Sequence, residues 1–163
     1  MLTQKELKEL FTYDPETGLF CRIYRTANST NMLPTVGSIN SIGYATLFIE
    51  GRNMYAHRLA WLYMTGRWPT HQIDHANMVR SDNRWVNLRD ATRSQNHANK
   101  HKMPFNRSGL KGVGWHKQAG AWRSRIMHNG KDMSLGLYDC PAAAHFAYIV
   151  AADKLQQQFA RIS

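Results

Sequence analysis

The chain has 163 residues, 43% of them hydrophobic, and carries 21 Lys and Arg against 11 Asp and Glu, a net charge of +10. This length allows one ordinary domain or two small ones, and the hydrophobic share excludes wholesale disorder. No apolar run of 18 residues occurs, and the first six residues lack the apolar segment of a signal peptide, so we expect a cytoplasmic protein without a membrane span.

The positive charge predicts a polyanionic partner, most often nucleic acid, with a solubilising surface as the alternative. Residues 1–100 contain 12 basic and 8 acidic residues, a net charge of +4, whereas residues 101–163 contain 9 and 3, a net charge of +6. The C-terminal part is therefore the more densely positive. Cys21 and Cys140 lie far apart and form no Cys-x-x-Cys pair, so we expect both thiols to be free.

The first hundred residues predict an α+β domain. A helix over 3–11 begins with a Thr3–Glu6 capping box, and the Pro- and Gly-containing segment 13–18 forms a turn. Strands are predicted at 19–24, 44–49 and 54–57, with a polar loop at 25–41 and a turn at 50–53. A helix over 57–65 follows and stops at Gly66.

The last third predicts a second, smaller domain after a linker at 101–109, which Pro104 interrupts. Three short strands are expected at 112–117, 121–128 and 133–138, with turns at 118–120 and at Asn129-Gly130. Asp139 or Cys140 caps a helix that has Pro141 in its first turn and runs to about Phe159. Its apolar residues at helical spacing are Phe146, Ala147, Val150, Ala151 and Leu155.

Segment 72–100 carries the residue types that phosphodiester hydrolysis requires. The reaction needs a nucleophilic water, a group that takes its proton and positive charge at the leaving oxygen, and a histidine beside a hard divalent cation supplies all three. Asp74 offers a carboxylate oxygen and Asn96 an amide oxygen to Mg²⁺. In a strand, Asp74 and His75 point to opposite faces, so they serve one site only if the strand ends or twists there.

The same segment predicts a helix with a Thr92–Gln95 capping box, which places Asn96 early in the helix and Asn99 one turn later. The preceding loop contains Asn83 and Asn87. A buried loop asparagine can tie the loop backbone together or fix the orientation of a histidine.

The combination of Asp74-His75, Asn87-Leu88 and Asn96 resembles the ββα-metal motif of the His-Asn-His (HNH) endonucleases. The stretch 57–99 is similar to phage and intron-associated homing endonucleases of that family, and the segments 13–18 and 43–44 resemble their N-terminal region. The resemblance implies that His75 is the general base, that Asp74 and Asn96 hold Mg²⁺ or Mn²⁺, and that Asn87 orients His75. The accessory candidates are His57, Asn83 and Asn99.

This chain departs from the family pattern in two respects. Asn96 stands where many relatives have a final histidine, and the asparagine version occurs in the homing branch. The zinc-binding cysteine pairs of some relatives are absent, so packing must hold the local scaffold.

Residues 110–160 resemble an AP2-type DNA-binding domain in 111–113, 120–122, 135–139 and the Ala-rich helix 142–148. The resemblance implies a three-stranded sheet that lies in the major groove. Strand alternation puts Trp122, Ser124 and Ile126 toward the helix and Arg123 and Arg125 toward DNA. The other DNA-binding candidates are Lys111, Trp115, His116, Lys117, Lys131 and Ser134. The alternative is a solvated basic sheet face.

We therefore expect an α+β protein with an HNH nuclease domain at 1–100, a linker at 101–109 and an AP2-like domain at 110–163. It hydrolyses double-stranded DNA with a divalent metal, as a homing-type enzyme, in the host cytoplasm if it is phage-encoded. We expect a monomer or homodimer, without an obligate protein partner.

Three alternatives stay open at this point. The first is a non-catalytic DNA-binding regulator, and the second is a restriction or structure-specific HNH nuclease. The third is an RNA-binding protein, although no ribonucleoprotein signature occurs. Two His-x-x-x-His pairs, His71 with His75 and His97 with His101, also allow structural zinc, but no cysteine joins them.

Overall fold

The computed structural model describes residues 1–23, 37–99 and 106–160 of the chain. The chain folds into two compact units, Met1–Ala91 and Thr92–Ser163. The division falls inside the predicted nuclease domain, so the helix expected from residue 92 groups with the C-terminal residues. The domain boundaries at 100 and 110 stay a prediction, and residues 101–105 of the predicted linker lie outside the described residues.

The first unit consists of two helices and three small antiparallel sheets, as far as the structure describes it. The helices are α1 (Gln4–Leu10) and α2 (Ala56–Thr65). The strands are β1 (Phe11–Asp14), β2 (Leu19–Arg22), β3 (Ser38–Ile39), β4 (Ala45–Ile49), β5 (Arg52–Tyr55), β6 (Gln72–His75) and β7 (Leu88–Ala91). β1 pairs with β2, β4 lies between β3 and β5, and β6 pairs with β7.

Local sequence explains both helices of this unit. The Thr3 hydroxyl accepts a hydrogen bond from the Glu6 backbone N–H, and the Glu6 carboxylate accepts one from the Thr3 N–H, which confirms the predicted capping box. α2 ends at Gly66, whose φ of 76° is the left-handed conformation that glycine adopts without strain. The buried apolar residues of the helices pack with those of the strands; the largest that are completely buried are Leu7, Phe11, Phe20, Leu59 and Leu62.

The strand predicted at 54–57 is wrong in its extent. β5 ends at Tyr55 and α2 begins at Ala56, so His57 is helical, and the turn before β5 comprises only Glu50 and Gly51. The reason is that the buried helical stripe already begins at Ala56. The predicted loop at 25–41 also contains the short strand β3, while its residues 25–36 lie outside the described part.

The second unit has the predicted order of one sheet and a long helix, preceded by a short helix. Its elements are α3 (Arg93–Asn99), β8 (Val113–His116), β9 (Ala121–His128), β10 (Lys131–Tyr138), α4 (Pro141–Gln156) and a 3₁₀ turn (Gln157–Phe159). The sheet order is β10-β9-β8, all antiparallel. Across the described segments 1–23, 37–99 and 106–160, no helix combines the length and apolar composition that a membrane span requires.

The predicted apolar face of α4 is only partly correct. Ala144, Tyr148 and Ala152 are buried, and Tyr148 and Ala152 pack with Ile126 of β9, whereas Phe146 is 67% exposed. The helix is apolar or Ala-rich on two sides, so spacing alone does not identify the inward one. The inward side carries two alanines, which allow the helix to approach the sheet closely.

Candidate active site

The hairpin of β6 and β7 presents Asp74 and His75. Asp74 pairs with Arg89 and His75 pairs with Leu88 across the hairpin. Successive residues of a strand face opposite sides, so the two side chains leave β6 in opposite directions. Asp74 and His75 could serve one site only if the strand ends there. β6 does end at His75.

Asn87 ties together the loop that connects the two strands. Its backbone carbonyl accepts a hydrogen bond from the Ala76 N–H at 2.9 Å, and its Oδ1 accepts one from the Asn77 N–H at 2.9 Å. Its side-chain amide donates to the carbonyl of Asp82 at 2.7 Å. This is the first of the two roles that the sequence left open for the loop asparagines, and a role of Asn87 in orienting His75 stays a prediction.

Asn83 is the loop asparagine that the structure places against His75. The His75 Nε2 and the Asn83 Oδ1 are 3.4 Å apart, and both residues are buried. The Asn83 Nδ2 donates to the Ser81 carbonyl at 3.2 Å, which turns the amide oxygen toward the imidazole. The bond therefore requires the tautomer in which Nε2 carries the hydrogen, and it leaves the lone pair on Nδ1.

β1 and the turn that follows it brace the backbone of Asn83. The Tyr13 hydroxyl donates to the Asn83 carbonyl at 2.7 Å, and the Trp85 N–H donates to the Pro15 carbonyl at 2.9 Å. Gly18 has a φ of +74°, and a Cβ there would lie 2.4 Å from the Asn83 carbonyl carbon. Only glycine permits this approach, so the end of β1 and the turn at 15–18, shorter than the turn predicted at 13–18, fix the residue that contacts His75.

Aromatic rings form one wall around His75. The His57 ring lies 5.1 Å from the His75 ring, nearly perpendicular to it, and is stacked on Tyr55 at 5.3 Å. Tyr44 lies 5.1 Å from His57 and 5.9 Å from His75. His57 is only 7% exposed, and its Nδ1 has no hydrogen-bond partner within the described part of the chain. Sequence reasoning singled out His57 but missed both tyrosines.

Burial favours the neutral form of both histidines. It lowers the pKa of His75 below its usual value, although the hydrogen bond to Asn83 and the negative charge of Asp74 oppose the shift. Burial, together with the neighbouring His75, lowers the pKa of His57 to about 3. A neutral imidazole has a lone pair that can accept a proton, as a general base requires.

Arg89 holds the carboxylate of Asp74. Its Nε and Nη2 each lie 2.8 Å from the Asp74 Oδ2, and Asp74 is 6% exposed. Such a paired contact to a buried carboxylate fixes its position. Sequence reasoning missed Arg89, although counting residues back along an antiparallel hairpin would have placed it opposite Asp74.

Residues 1–23, 37–99 and 106–160 contain no side-chain cluster of the kind that the structural-zinc alternative requires. No group of three or more His, Cys, Asp or Glu side chains there is arranged to hold a metal ion. His71 is exposed, and its Nδ1 lies 3.6 Å from the Asp90 carboxylate. His101 lies outside the described residues.

α3, in the second unit, carries the other two predicted asparagines. The Thr92 N–H donates to the Gln95 Oε1 at 2.8 Å and the Gln95 N–H to the Thr92 hydroxyl at 3.3 Å, which confirms the predicted capping box. Asn96 lies in the first turn and is half-buried, and Asn99 is the last residue of α3 and is buried. The metal-binding role of Asn96 and the accessory role of Asn99 stay predictions.

The sheet of the second unit has the alternation that the sequence predicts. Ser124 and Ile126 are buried, whereas Arg125 is exposed, and its Nη1 lies 3.0 Å from the Asp132 carboxylate. Arg123 is half-buried. The arginine face is therefore the side of β9 that does not contact α4.

The other DNA-binding candidates occupy different positions in this unit. Trp115 pairs with Trp122, so it belongs to the face opposite the arginines, at 55% exposure. The Lys111 Nζ donates to the Ala98 carbonyl at 2.7 Å, and the His116 Nδ1 accepts from the Ala119 N–H at 3.1 Å. The exposed candidates at strand ends and edges are Lys117, Lys131 and Ser134.

The segment that contains this site matches a known family. Residues 54–98 match the family model described as HNH endonuclease, from the end of β5 through α2 and the β6–β7 hairpin to α3. The match supports an HNH nuclease and, with it, DNA as the substrate. Residues 99–163 lie outside it. No curated protein and no solved structure matches the chain.

Proposed function

We propose that the chain is a metal-dependent HNH endonuclease that hydrolyses double-stranded DNA, of the homing type. One observation carries the proposal. His75 is buried, ends β6 directly after Asp74 and contacts Asn83, inside the segment that matches the HNH family.

His75 accepts the proton of the attacking water in this proposal. The hydrogen bond to Asn83 holds Nε2–H, so Nδ1 is the nitrogen that takes the proton. The ring wall of His57 and Tyr44 restricts the rotation of the imidazole. General-base catalysis of this kind contributes about 10²–10⁴-fold to the rate.

The donor chemistry fits a hard divalent ion such as Mg²⁺ or Mn²⁺. Asp74 supplies a carboxylate and Asn96 an amide oxygen, and Mg²⁺ takes one or two protein groups of this kind and completes its shell with water and phosphate. When bound, the ion supplies positive charge to the departing 3′ oxygen. Arg89 contacts the Asp74 Oδ2 and orients the carboxylate.

The second unit extends the recognised DNA, in the manner of an AP2-like domain. Arg123 and Arg125 lie on the sheet face away from α4, and arginine binds guanine edges and phosphates. A basic sheet that follows a nuclease segment in the chain is what a homing enzyme with a long target needs. Affinity for DNA is then strongly dependent on salt.

One observation favours a second candidate, a non-catalytic DNA-binding regulator. The Asp74 carboxylate is already neutralised by the Arg89 guanidinium. An ion pair at a metal ligand competes with the metal, so a protein that retains this pair in solution binds DNA without cutting it.

The two candidates differ in one assay. Supercoiled plasmid and long genomic DNA are incubated with the protein and Mg²⁺ or Mn²⁺, with EDTA as a control, beside His75→Ala. The nuclease predicts metal-dependent nicked or linear product from the wild type and a loss of at least about 100-fold in His75→Ala. Binding without cleavage on every DNA favours the regulator. Equal cutting by both proteins rules out His75 as the base.

A further inference from the structure

Arg80 lies in the loop that follows His75, and its guanidinium is fixed by two distant contacts. The guanidinium carbon lies 5.3 Å from the centroid of the Tyr44 ring. Its Nη1 donates to the Ile42 carbonyl at 2.8 Å. Both partners belong to the turn that precedes β4, far earlier in the chain, so the arginine side chain joins two separate segments.

The backbone below Arg80 is also fixed. The Met78 N–H donates to the His75 carbonyl at 2.9 Å, the Val79 N–H to the Asn77 side chain at 2.8 Å, and the Asp82 N–H to the Val79 carbonyl at 3.0 Å. An arginine that is held at both its backbone and its head group loses little conformational entropy when it binds a ligand.

Tyr44 connects this arginine to the candidate active site. The ring that contacts the Arg80 guanidinium on one side lies 5.9 Å from the His75 ring. Arg80 is itself exposed, while His75 is buried. The guanidinium therefore stands at the solvent-facing rim of the site that contains the proposed base.

The other arginines of this loop and hairpin have their charge compensated. Arg84 makes two hydrogen bonds of 2.6 and 2.8 Å to the Asp82 carboxylate, and Arg89 binds Asp74. Within the described residues, no carboxylate lies within 4.0 Å of the Arg80 guanidinium, which is held by a carbonyl and a ring. A carbonyl and a ring orient the guanidinium without neutralising it.

We propose that Arg80 is a DNA-backbone anchor of the nuclease site: oriented by Tyr44 and Ile42, its guanidinium binds a phosphate beside the bond that His75 attacks. The inference rests on the proposed function, since it names the group that holds the substrate at that site. Arginine suits the role because its planar fork of donors matches two phosphate oxygens.

The first test measures binding to duplex DNA by the full chain without metal, as a function of salt. Losing one phosphate contact lowers the slope of log K against log salt by about 0.9 and weakens binding about 10-fold at moderate salt. We expect both changes in Arg80→Ala and a partial recovery in Arg80→Lys, which keeps the charge and loses the fork.

Arg22→Ala is the matched control. Arg22 is also exposed, lies 5.0 Å from the Phe11 ring and donates to the Phe48 carbonyl at 3.3 Å, so its guanidinium is held in the same manner by residues that do not belong to the ring wall around His75. The proposal predicts a wild-type slope for Arg22→Ala. Equal slopes in wild type and Arg80→Ala, or equal losses in both alanine variants, would overturn it.

The second test locates the contact on the DNA. Duplexes with a mapped cleavage site carry a neutral methylphosphonate at one position at a time. We expect one position near the cut where the substitution slows wild-type cleavage about 10-fold but adds nothing in Arg80→Ala. Additive losses at every position would overturn the inference.

The platform formed by the Tyr44 ring has its own test. Tyr44→Phe retains the ring below the guanidinium, so we expect it to bind DNA with the wild-type salt slope. Tyr44→Leu removes the ring, so we expect a smaller salt slope. These outcomes separate two failures. Cleavage that depends on His75 but not on Arg80 overturns this inference alone, whereas a wild-type protein that neither binds nor cuts DNA overturns the proposed function as well.

Discussion

The two units place their polar residues in opposite ways. In the first unit Asp74 and His75 are buried, and residues far apart in sequence hold the site: Tyr13 braces Asn83, which contacts His75. In the second unit Arg123 and Arg125 stand on one side of a sheet, half-buried and exposed respectively, at alternating positions of a single strand. Burial changes the pKa of a base, whereas exposure leaves charge available to a polyanion. The proposed base His75 thus lies in the first unit, and the arginine pair proposed to extend DNA binding lies in the second.

The largest predicted effect separates chemistry from affinity. His75→Ala removes the proposed base, so we expect cleavage under single-turnover conditions to fall by about 10²–10⁴-fold. DNA affinity is expected to remain within about twofold of the wild type, because the exposed arginines are intact. A parallel loss of binding and cleavage would show that His75 supports the fold instead.

The second prediction concerns the brace at the N-terminal turn. Gly18→Ala forces a residue with a Cβ into the left-handed conformation. It also places that Cβ 2.4 Å from the backbone of Asn83. We expect a loss of about 2–4 kcal/mol in the free energy of unfolding, measured with urea, together with slower cleavage.

Gly51→Ala is the control for that brace. Gly51 has nearly the same φ, +77°, but a Cβ there would meet nothing within 4 Å. Gly51→Ala should lower the free energy of unfolding by only about 1 kcal/mol, the conformational penalty, and should leave the cleavage rate unchanged. Equal losses in the two variants would contradict the brace.

The third prediction concerns the basic sheet. Arg123→Ala combined with Arg125→Ala is expected to lower the salt slope of DNA binding by about 1.8 if each arginine contacts a phosphate. The cleavage rate at a saturating concentration of DNA should be nearly unchanged. Lys154→Ala, on the last turn of α4, is the control and should bind like the wild type. Asp132→Ala releases Arg125 from its ion pair and should strengthen binding.

The smallest predicted effect is on stability against acid. The pKa of His57 is lowered to about 3 in the folded state, below the usual value of about 6.5 in the unfolded chain. The unfolded state therefore takes up a proton first as the pH falls. The stability contributed by His57 is complete above about pH 6.5 and is lost between about pH 6.5 and 3, by up to about 1.4 kcal/mol per pH unit.

His57→Phe keeps an aromatic ring at this position and removes the group that takes up a proton on unfolding. Between about pH 7 and 5 the variant should lose about 2 kcal/mol less stability than the wild type in urea unfolding. His71→Phe, at an exposed histidine, should retain the wild-type pH dependence. An unchanged pH dependence in His57→Phe would show that the buried ring carries a proton or is exposed in solution.

The sequence predicted well the features that depend on short-range patterns. Both capping boxes, the stop at Gly66, the alternation of β9 and the Asn-Gly turn are decided by residues within a few positions of each other. The pair Asp74-His75 is equally visible, since its residues are neighbours. The family match at 54–98 supports what that motif indicated.

The sequence predicted poorly what long-range packing decides. Tyr44, Arg80 and the Asn83–His75 contact depend on how the turn before β4 folds against the loop after β6, which no local pattern encodes. The predicted inward side of α4 is partly wrong for the same reason. The helix has two apolar sides, and only its packing against β9 decides which of them is buried. The paired positions of β6 and β7 would have revealed Arg89, had the hairpin register been deduced.

The role of His75 as the general base is tested most directly by chemical rescue. His75→Gly leaves a cavity where the imidazole stood, and added imidazole can take up the proton in its place. We predict that this variant, with Mg²⁺ or Mn²⁺, cuts DNA at least about 100-fold more slowly than the wild type and recovers cleavage as imidazole is added. Wild-type cleavage by His75→Gly without imidazole would contradict the account.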